Sequence, residues 1–234
     1  MAARGTSIKV IAYRGTMGHI SPFHPQSWMT YLNPGVDRIV CLSNAVRNDL
    51  KRLQIPEHKL VTIYKGFDIS WYSQATAPDL GAFGIPQDAF VIGCVANMRP
   101  GKGIDVLLKS AALLPDDLPI HYLLVGEIRD RKLVKISRSR TLDRRIHFTG
   151  FRNDAAALAG ACGIFVMPSL RREGLGKAVI EAMAQGIPPV VTSVGGLPEV
   201  VLNNQCGIVV PPADPEAIAT AVMSLYMDEQ KRRN

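Results

Sequence analysis

The sequence predicts an α/β protein: a parallel sheet with helices on both faces, preceded by a partial second unit of the same pattern. Three observations carry this. From about residue 89, short apolar runs rich in β-branched residues alternate with stretches of helical period. The runs are apolar at nearly every position, as strands buried on both faces require. Residues 1–68 show a shorter version of the same alternation.

In the first part, SIKVIAY (7–13), DRIVCLS (37–43) and KLVTIY (59–64) read as strands, and NAVRNDLKRL (44–53) as a helix. That is too little for a complete doubly wound domain. Residues 69–85 hold Ser, Ala, Pro and Gly without clear periodicity and read as a linker. In 86–234, AFVIGCVAN is the first strand, 103–114 a helix, PIHYLLVG a strand and the basic segment after it a helix. RIHFTG is a strand, DAAALAGAC a helix and GIFVMPS a strand. KAVIEAMAQG is a helix ending at Gly186, ahead of Pro188; PPVVTSV and GIVVPP are strands. DPEAIATAVMSLYMD is a helix with Asp214 as N-cap and Pro215 at its first position. Ligands on such sheets bind at the carboxyl ends of the strands.

Bulk composition narrows the class. Of 234 residues 47% are hydrophobic, enough to bury a sizeable core. Cys41, Cys94, Cys162 and Cys206 each sit in or beside an apolar run and form no CxxC pair, which favours reduced thiols over a disulfide or zinc scaffold. The first apolar stretch is too short for a signal peptide and contains Lys9, and no run approaches the roughly 18 apolar residues of a spanning helix. A cytoplasmic protein is expected, with a peripheral place at the inner membrane face left open. The net charge is +7. Between 129 and 145 stand eight basic residues (Arg129, Arg131, Lys132, Lys135, Arg138, Arg140, Arg144, Arg145) against Asp130 and Asp143. They read either as a solvated helix face or as a patch for an anionic membrane surface. No recognition motif or run of stacking aromatics accompanies them, so nucleic acid is not indicated. His121 and His147 lie within strands and read as packing residues, and no His, Cys, Asp or Glu spacing suggests a metal.

The most informative stretch is RREGLGKAVIEAMAQGIPPVVTSVGGLPE, 171–199. Glu173 follows a strand; Gly174 and Gly176 precede a helix opening near Lys177, where unpaired amides and the dipole favour an anion. Glu181 lies eight residues after Glu173, one carboxylate outside the helix and one inside it. A second motif, ANMRPGKGIDVLL, carries Arg99 and Lys102 after the first strand of this unit. It lacks the glycine and Ser/Thr positions of a Walker A loop. A third, FTGFRND, places Gly150, Phe151 and Arg152 after a strand and reads equally as a turn capped by Asn153 or Asp154.

With EGLG ahead, EAMAQG behind and VGGLPE downstream, the paired glutamates resemble the family 4 retaining glycosyltransferases of GT-B fold. The similarity covers most of 86–230 and reaches back over DRIVCLSNAVRNDL and KGFD at 65–68. The resemblance implies two Rossmann-like domains and a nucleotide-diphosphate sugar as donor (UDP-, GDP- or ADP-linked), with no cofactor or metal. The acceptor would be a glycan or lipid-linked glycan. It implies that Glu181 holds the ribose and Glu173 the donor hexose, and that Gly174, Leu175, Gly176 and Lys177 form the loop facing sugar and diphosphate. Lys102 and Arg99 would neutralise the departing diphosphate; Gly150, Phe151 and Arg152 would line the base. Two departures stand out. Many relatives carry the arginine where this chain has Asn97, and Lys65 replaces the asparagine of an NG-x-D string. Arg14 stands where relatives often carry a histidine, and no role is transferred to Arg14, His19 or His24. The first domain lacks its opening strands, so the expectation is a truncated acceptor-side domain whose open sheet edge a partner chain or second copy covers. Rival readings are a non-catalytic nucleotide-sugar-binding fragment, a non-hydrolysing sugar epimerase, against which EGLG…EAMA speaks, and a basic surface-binding domain.

Overall fold

The computed structural model describes residues 6–18, 20–73, 78–139 and 141–233. In chain order the elements are β1 (Ile11–Arg14), α1 (Pro25–Met29), β2 (Arg38–Cys41), α2 (Asn44–Arg52), β3 (Leu60–Thr62), α3 (Ser70–Ser73), β4 (Phe90–Val95), α4 (Ile104–Ala111), β5 (Ile120–Val125) and α5 (Lys132–Ser137). There follow β6 (Ile146–Gly150), α6 (Ala155–Gly160), β7 (Ile164–Met167), α7 (Lys177–Met183), β8 (Pro189–Thr192), α8 (Leu197–Val200), β9 (Ile208–Val210), α9 (Pro215–Met227) and α10 (Glu229–Arg233).

Two parallel sheets result. Among the described residues, the first lobe holds three strands in the order β1-β2-β3, and the second holds six in the order β6-β5-β4-β7-β8-β9. The six-stranded sheet is buried on both faces, by α4 and α9 on one side and by α6, α7 and α8 on the other, which explains its continuous apolar strands. Its strand order reverses between β4 and β7, whose carboxyl ends lie side by side. Among the described residues, the three-stranded sheet is covered on one face only. Ile39 and Cys41 are fully buried against α2, while Ile11, Tyr13, Val61 and Ile63 remain exposed.

Local chemistry explains the helix ends. Ser43 caps α2 by accepting from the Val46 N–H, and Asp214 caps α9 by accepting from the Ala217 N–H at 2.8 Å, with Pro215 following. No described helix is long and apolar enough to cross a membrane. All four thiols are free; burial pushes those of Cys94 and Cys162 up to about 12.

Several expectations change. β1 starts at Ile11 rather than residue 7, and the stretch between 69 and 85 contains α3 and a 3-10 turn at Leu80–Phe83. The basic segment yields only a six-residue helix. Arg145 leaves the basic patch: it is buried, with Nε donating to Ile120 O at 3.0 Å and a guanidinium nitrogen 3.6 Å from Asp116. Arg129 pairs with Glu127 at 2.7 Å. Arg131, Lys132, Lys135, Arg138 and Arg144 stay exposed, and Arg140 lies outside the described residues.

The two strand histidines form a relay at the edge of the sheet. His147 Nδ1 is 2.9 Å from Phe83 O, and His121 Nδ1 is 2.9 Å from His147 Nε2. A carbonyl can only accept, so His147 carries its proton on Nδ1, and its Nε2 accepts from His121. Both pKa values fall below the ordinary 6.5, chiefly through burial, and His121 is further depressed by its partner. A histidine whose folded pKa is depressed binds fewer protons folded than unfolded. Stability is therefore full above the unfolded value of about 6.5 and is lost as pH falls toward the folded one. Thermal denaturation between pH 7.5 and 5.5 should show a steeper fall in Tm for the wild type than for His121→Gln; parallel curves would contradict the relay.

Candidate functional site

In open parallel sheets a ligand crevice forms where the strand order reverses, which here is between β4 and β7. The loop after β4 and the loop after β7 are tied together by Leu170 N–H donating to Gly101 O at 2.9 Å. Gly103 has φ 70°, and a Cβ there would lie 1.8 Å from Pro168 O, so only glycine lets the two loops close. Across this contact Lys102 Nζ meets Glu173 Oε2 at 2.7 Å, with side-chain exposures of 19% and 12%. Ser169 Oγ donates to the same carboxylate oxygen at 2.7 Å, and Ser169 O accepts from Thr192 Oγ1 at 2.5 Å. Three strands, β4, β7 and β8, thus fix one carboxylate and one ammonium at the mouth of the crevice.

Glu181 sits one helical turn from Lys177 on α7 and accepts a hydrogen bond from its ammonium. Tyr72, on α3, donates to the same carboxylate oxygen at 3.3 Å. Glu181 raises the Lys177 pKa; burial first and Glu181 second raise that of Tyr72. α7 opens from Gly176 at φ 79°, and this N-cap offers no side-chain cap. Leu175 is buried. Arg172, immediately before Glu173, has φ 61°, and a Cβ on Gly18 of the first lobe would meet its Nε at 2.9 Å.

Other expected residues are placed apart from this pair. Arg99 lies exposed on the β4 loop, and its guanidinium makes no ion pair among the described residues. Gly150 ends the edge strand β6, two strands from β4, and Phe151 and Arg152 follow it. Phe151 is exposed, while Arg152 pairs with Asp154 at 2.7 Å and lies over the Phe83 ring at 5.6 Å. In the first lobe, the Arg14 guanidinium donates to Gly18 O and stacks 5.0 Å from the Tyr31 ring, beside a cavity of about 670 Å³ that His24 also lines. His19 lies outside the described residues. Ser169 and Tyr72 carried no motif signal; only folding brings them to the glutamates.

Residues 78–234 match the family model for group 1 glycosyl transferases. The chain belongs to that family. Among its curated relatives, the D-inositol 3-phosphate glycosyltransferase of Corynebacterium urealyticum is 31% identical over 189 residues, covering 74% of this chain and 44% of the relative. The N-acetyl-alpha-D-glucosaminyl L-malate synthase of Bacillus anthracis is 24% identical over 200 residues, covering 85% and 52%. This group 1 chain therefore spans about half the length of the curated relatives it matches. Among solved structures, Anabaena HepE in complex with UDP and glucose superposes with a TM-score of 0.86 at 23% identity, over 96% of this chain and 64% of that one. A glycosyltransferase from Rickettsia africae gives 0.87 at 22% identity, over 99% and 64%. These likenesses establish the fold, the Rossmann-like GT-B arrangement expected from the sequence.

The Lys102–Glu173 pair is mostly desolvated, so removing one charge strands the other. Lys102→Met should cost about 3 kcal/mol in urea denaturation, and Lys102→Met/Glu173→Gln should regain most of it. A loss below about 0.5 kcal/mol for the single variant would show that the pair is solvated.

Proposed function

We propose that the chain binds a nucleoside-diphosphate sugar and takes part in sugar transfer with retention of anomeric configuration, to a glycan or lipid-linked glycan. The observation that carries this is the meeting of Lys102 and Glu173 at 2.7 Å across the switch point, with Glu181 eight residues further on. An ammonium and a carboxylate that touch in the free protein present adjacent contacts for the diphosphate and for the hexose beside it.

In this reading Lys102, joined by Arg99, stabilises charge growing on the leaving diphosphate. Glu173 orients the hexose through its hydroxyls, and the Gly174–Lys177 loop faces the sugar and diphosphate. Glu181 anchors the ribose once Lys177 and Tyr72 give way, and Gly150, Phe151 and Arg152 border the base. Transfer follows a front-side course in which the departing phosphate oxygen takes the acceptor proton. The HepE structures of the same fold hold UDP and UDP-glucose, which makes UDP the first nucleotide to try. We further propose a metal-independent site. Among the described residues, no group of three or more His, Cys, Asp or Glu is gathered. The free thiols fit a cytoplasmic setting, and the exposed cations from Arg131 to Arg144 suit a peripheral contact with an anionic membrane face.

One observation favours a second reading, a binding module that turns over only with a further polypeptide. Parallel sheets are ordinarily covered on both faces. Ile11, Tyr13, Val61 and Ile63 leave one face of the first lobe bare.

A thermal-shift panel of UDP, GDP, ADP and their sugar conjugates tests the donor site. A ligand at about 100 times its Kd adds roughly 2.7 kcal/mol to the folded state. One nucleotide should stabilise the wild type and not a folded Glu181→Ala variant. A panel with no stabilising nucleotide, or an unchanged shift in the variant, would overturn the assignment. Turnover with and without an added N-terminal half separates the enzyme from the module.

A further inference from the structure

We infer that Glu199 is a positioning residue: it locks the first lobe onto the loop carrying Glu173. The first amides of a helix have no partner within it. In α2 these are met from 155 residues away, the Asn44 N–H donating to Glu199 Oε2 at 2.7 Å and the Ala45 N–H to Oε1 at 2.7 Å. Tyr64 Oη donates to Oε2 at 2.8 Å, and Asn44 Nδ2 donates to Tyr64 Oη at 2.8 Å. One carboxylate from the second lobe thus takes three donors from the first. The hydrogen bond to Glu199 is the leading reason the Tyr64 pKa is raised. A carboxylate at the positive end of a helix makes charge-assisted bonds, stronger than neutral ones.

The same end of α2 makes a second contact with the donor loop. Ser43, fully buried, accepts from Val46 N–H and donates to Gly174 O at 2.7 Å. Within the second lobe, Glu199 follows Gly195 and Gly196, and Gly196 N–H donates to Glu173 O at 3.2 Å. A Cβ on Gly195 would lie 1.9 Å from Glu173 O, one on Gly196 2.1 Å from Gly174 O, and one on Gly174 2.2 Å from Gly15 O. Bare backbone is therefore stacked from the first lobe through the 173–174 loop to the 195–196 turn. The glycine pair of VGGLPE brings that turn close enough for Glu199 to reach α2. Glu173 stands between the two contacts, so its loop is held from both sides.

The significance of Glu173 rests on the function proposed above; the lock itself does not. A plain helix cap would serve α2 alone, whereas a lock also serves the donor loop. Hydrogen exchange read by mass spectrometry on the full chain separates them. Glu199→Gln should speed exchange about tenfold in 43–47 and also in 170–176 and 193–197. Adding Ala45→Glu gives α2 a first-turn carboxylate of its own. It should restore 43–47 and leave the donor-loop segments fast. Glu199→Asp, one methylene short of α2, should rank with Glu199→Gln. Donor-loop exchange that stays at the wild-type rate in Glu199→Gln, or that Ala45→Glu restores, would overturn the lock. Titrating UDP onto the same proteins keeps the two ideas apart: failure of the wild type to bind counts against the donor reading alone, while the exchange pattern decides the lock.

Discussion

A lysine and a glutamate 71 positions apart in sequence meet at 2.7 Å, and the geometry of the crevice follows from what brings them there. A parallel sheet that grows outward in both directions from a central pair must leave a gap between the two crossovers at that pair. Here the pair is β4 and β7, and the gap is where Lys102 and Glu173 stand. Gly103 admits the close approach of the two loops, and Ser169 holds the carboxylate from below while Thr192 holds Ser169. The ion pair is sequestered enough that Coulomb attraction is strong, yet it leaves both partners at a mouth that a ligand can reach. In the proposed reading, a diphosphate entering there would compete with Glu173 for Lys102, and the freed carboxylate would become available to hydroxyls. The proposed donor chemistry is an exchange of partners at one spot.

The two lobes are joined by a different kind of contact. Gly15, Gly174 and Gly196 bring backbone against backbone, and the residues around them, Ser43 and Glu199, satisfy polar groups that the approach would otherwise strand. The glutamates of the crevice therefore answer to the first lobe as well as to their own sheet, and Tyr72, on the connecting segment, touches Glu181. The first lobe does this with three strands and one bare face. The chain spans about half the length of its curated relatives, and its first lobe contacts the loop carrying Glu173 and Gly174.

Much of this was legible in the sequence because it rests on local signals. The alternating apolar runs located the strands of the second sheet, Asp214-Pro215 announced α9, and the EGLG…EAMAQG…VGGLPE string pointed to the family; Lys102 came from a separate motif, ANMRPGKGIDVLL, and its pairing with Glu173 was not foreseen. What was not legible depends on distance. Arg145 reads as one more cation in a basic run until folding aims it at Ile120 O and buries it. His121 and His147 read as packing residues; folding leaves them half-buried and hydrogen-bonded to each other, a coupling that exists only because β5 and β6 are neighbours. Glu199 looks like the tail of a glycine turn, since its partners are 155 residues upstream. The bounds of β1 slipped because three exposed residues precede it in an apolar string, and apolarity does not report pairing.

The competition at Lys102 is the central claim, and calorimetric titration of UDP against Glu173→Gln tests it most directly. The amide cannot hold the lysine by charge and does not repel a diphosphate. The account predicts UDP binding about tenfold tighter than to the wild type, a change of about 1.4 kcal/mol. Equal or weaker binding in a folded variant would show that Glu173 and the diphosphate do not share Lys102, and would contradict it.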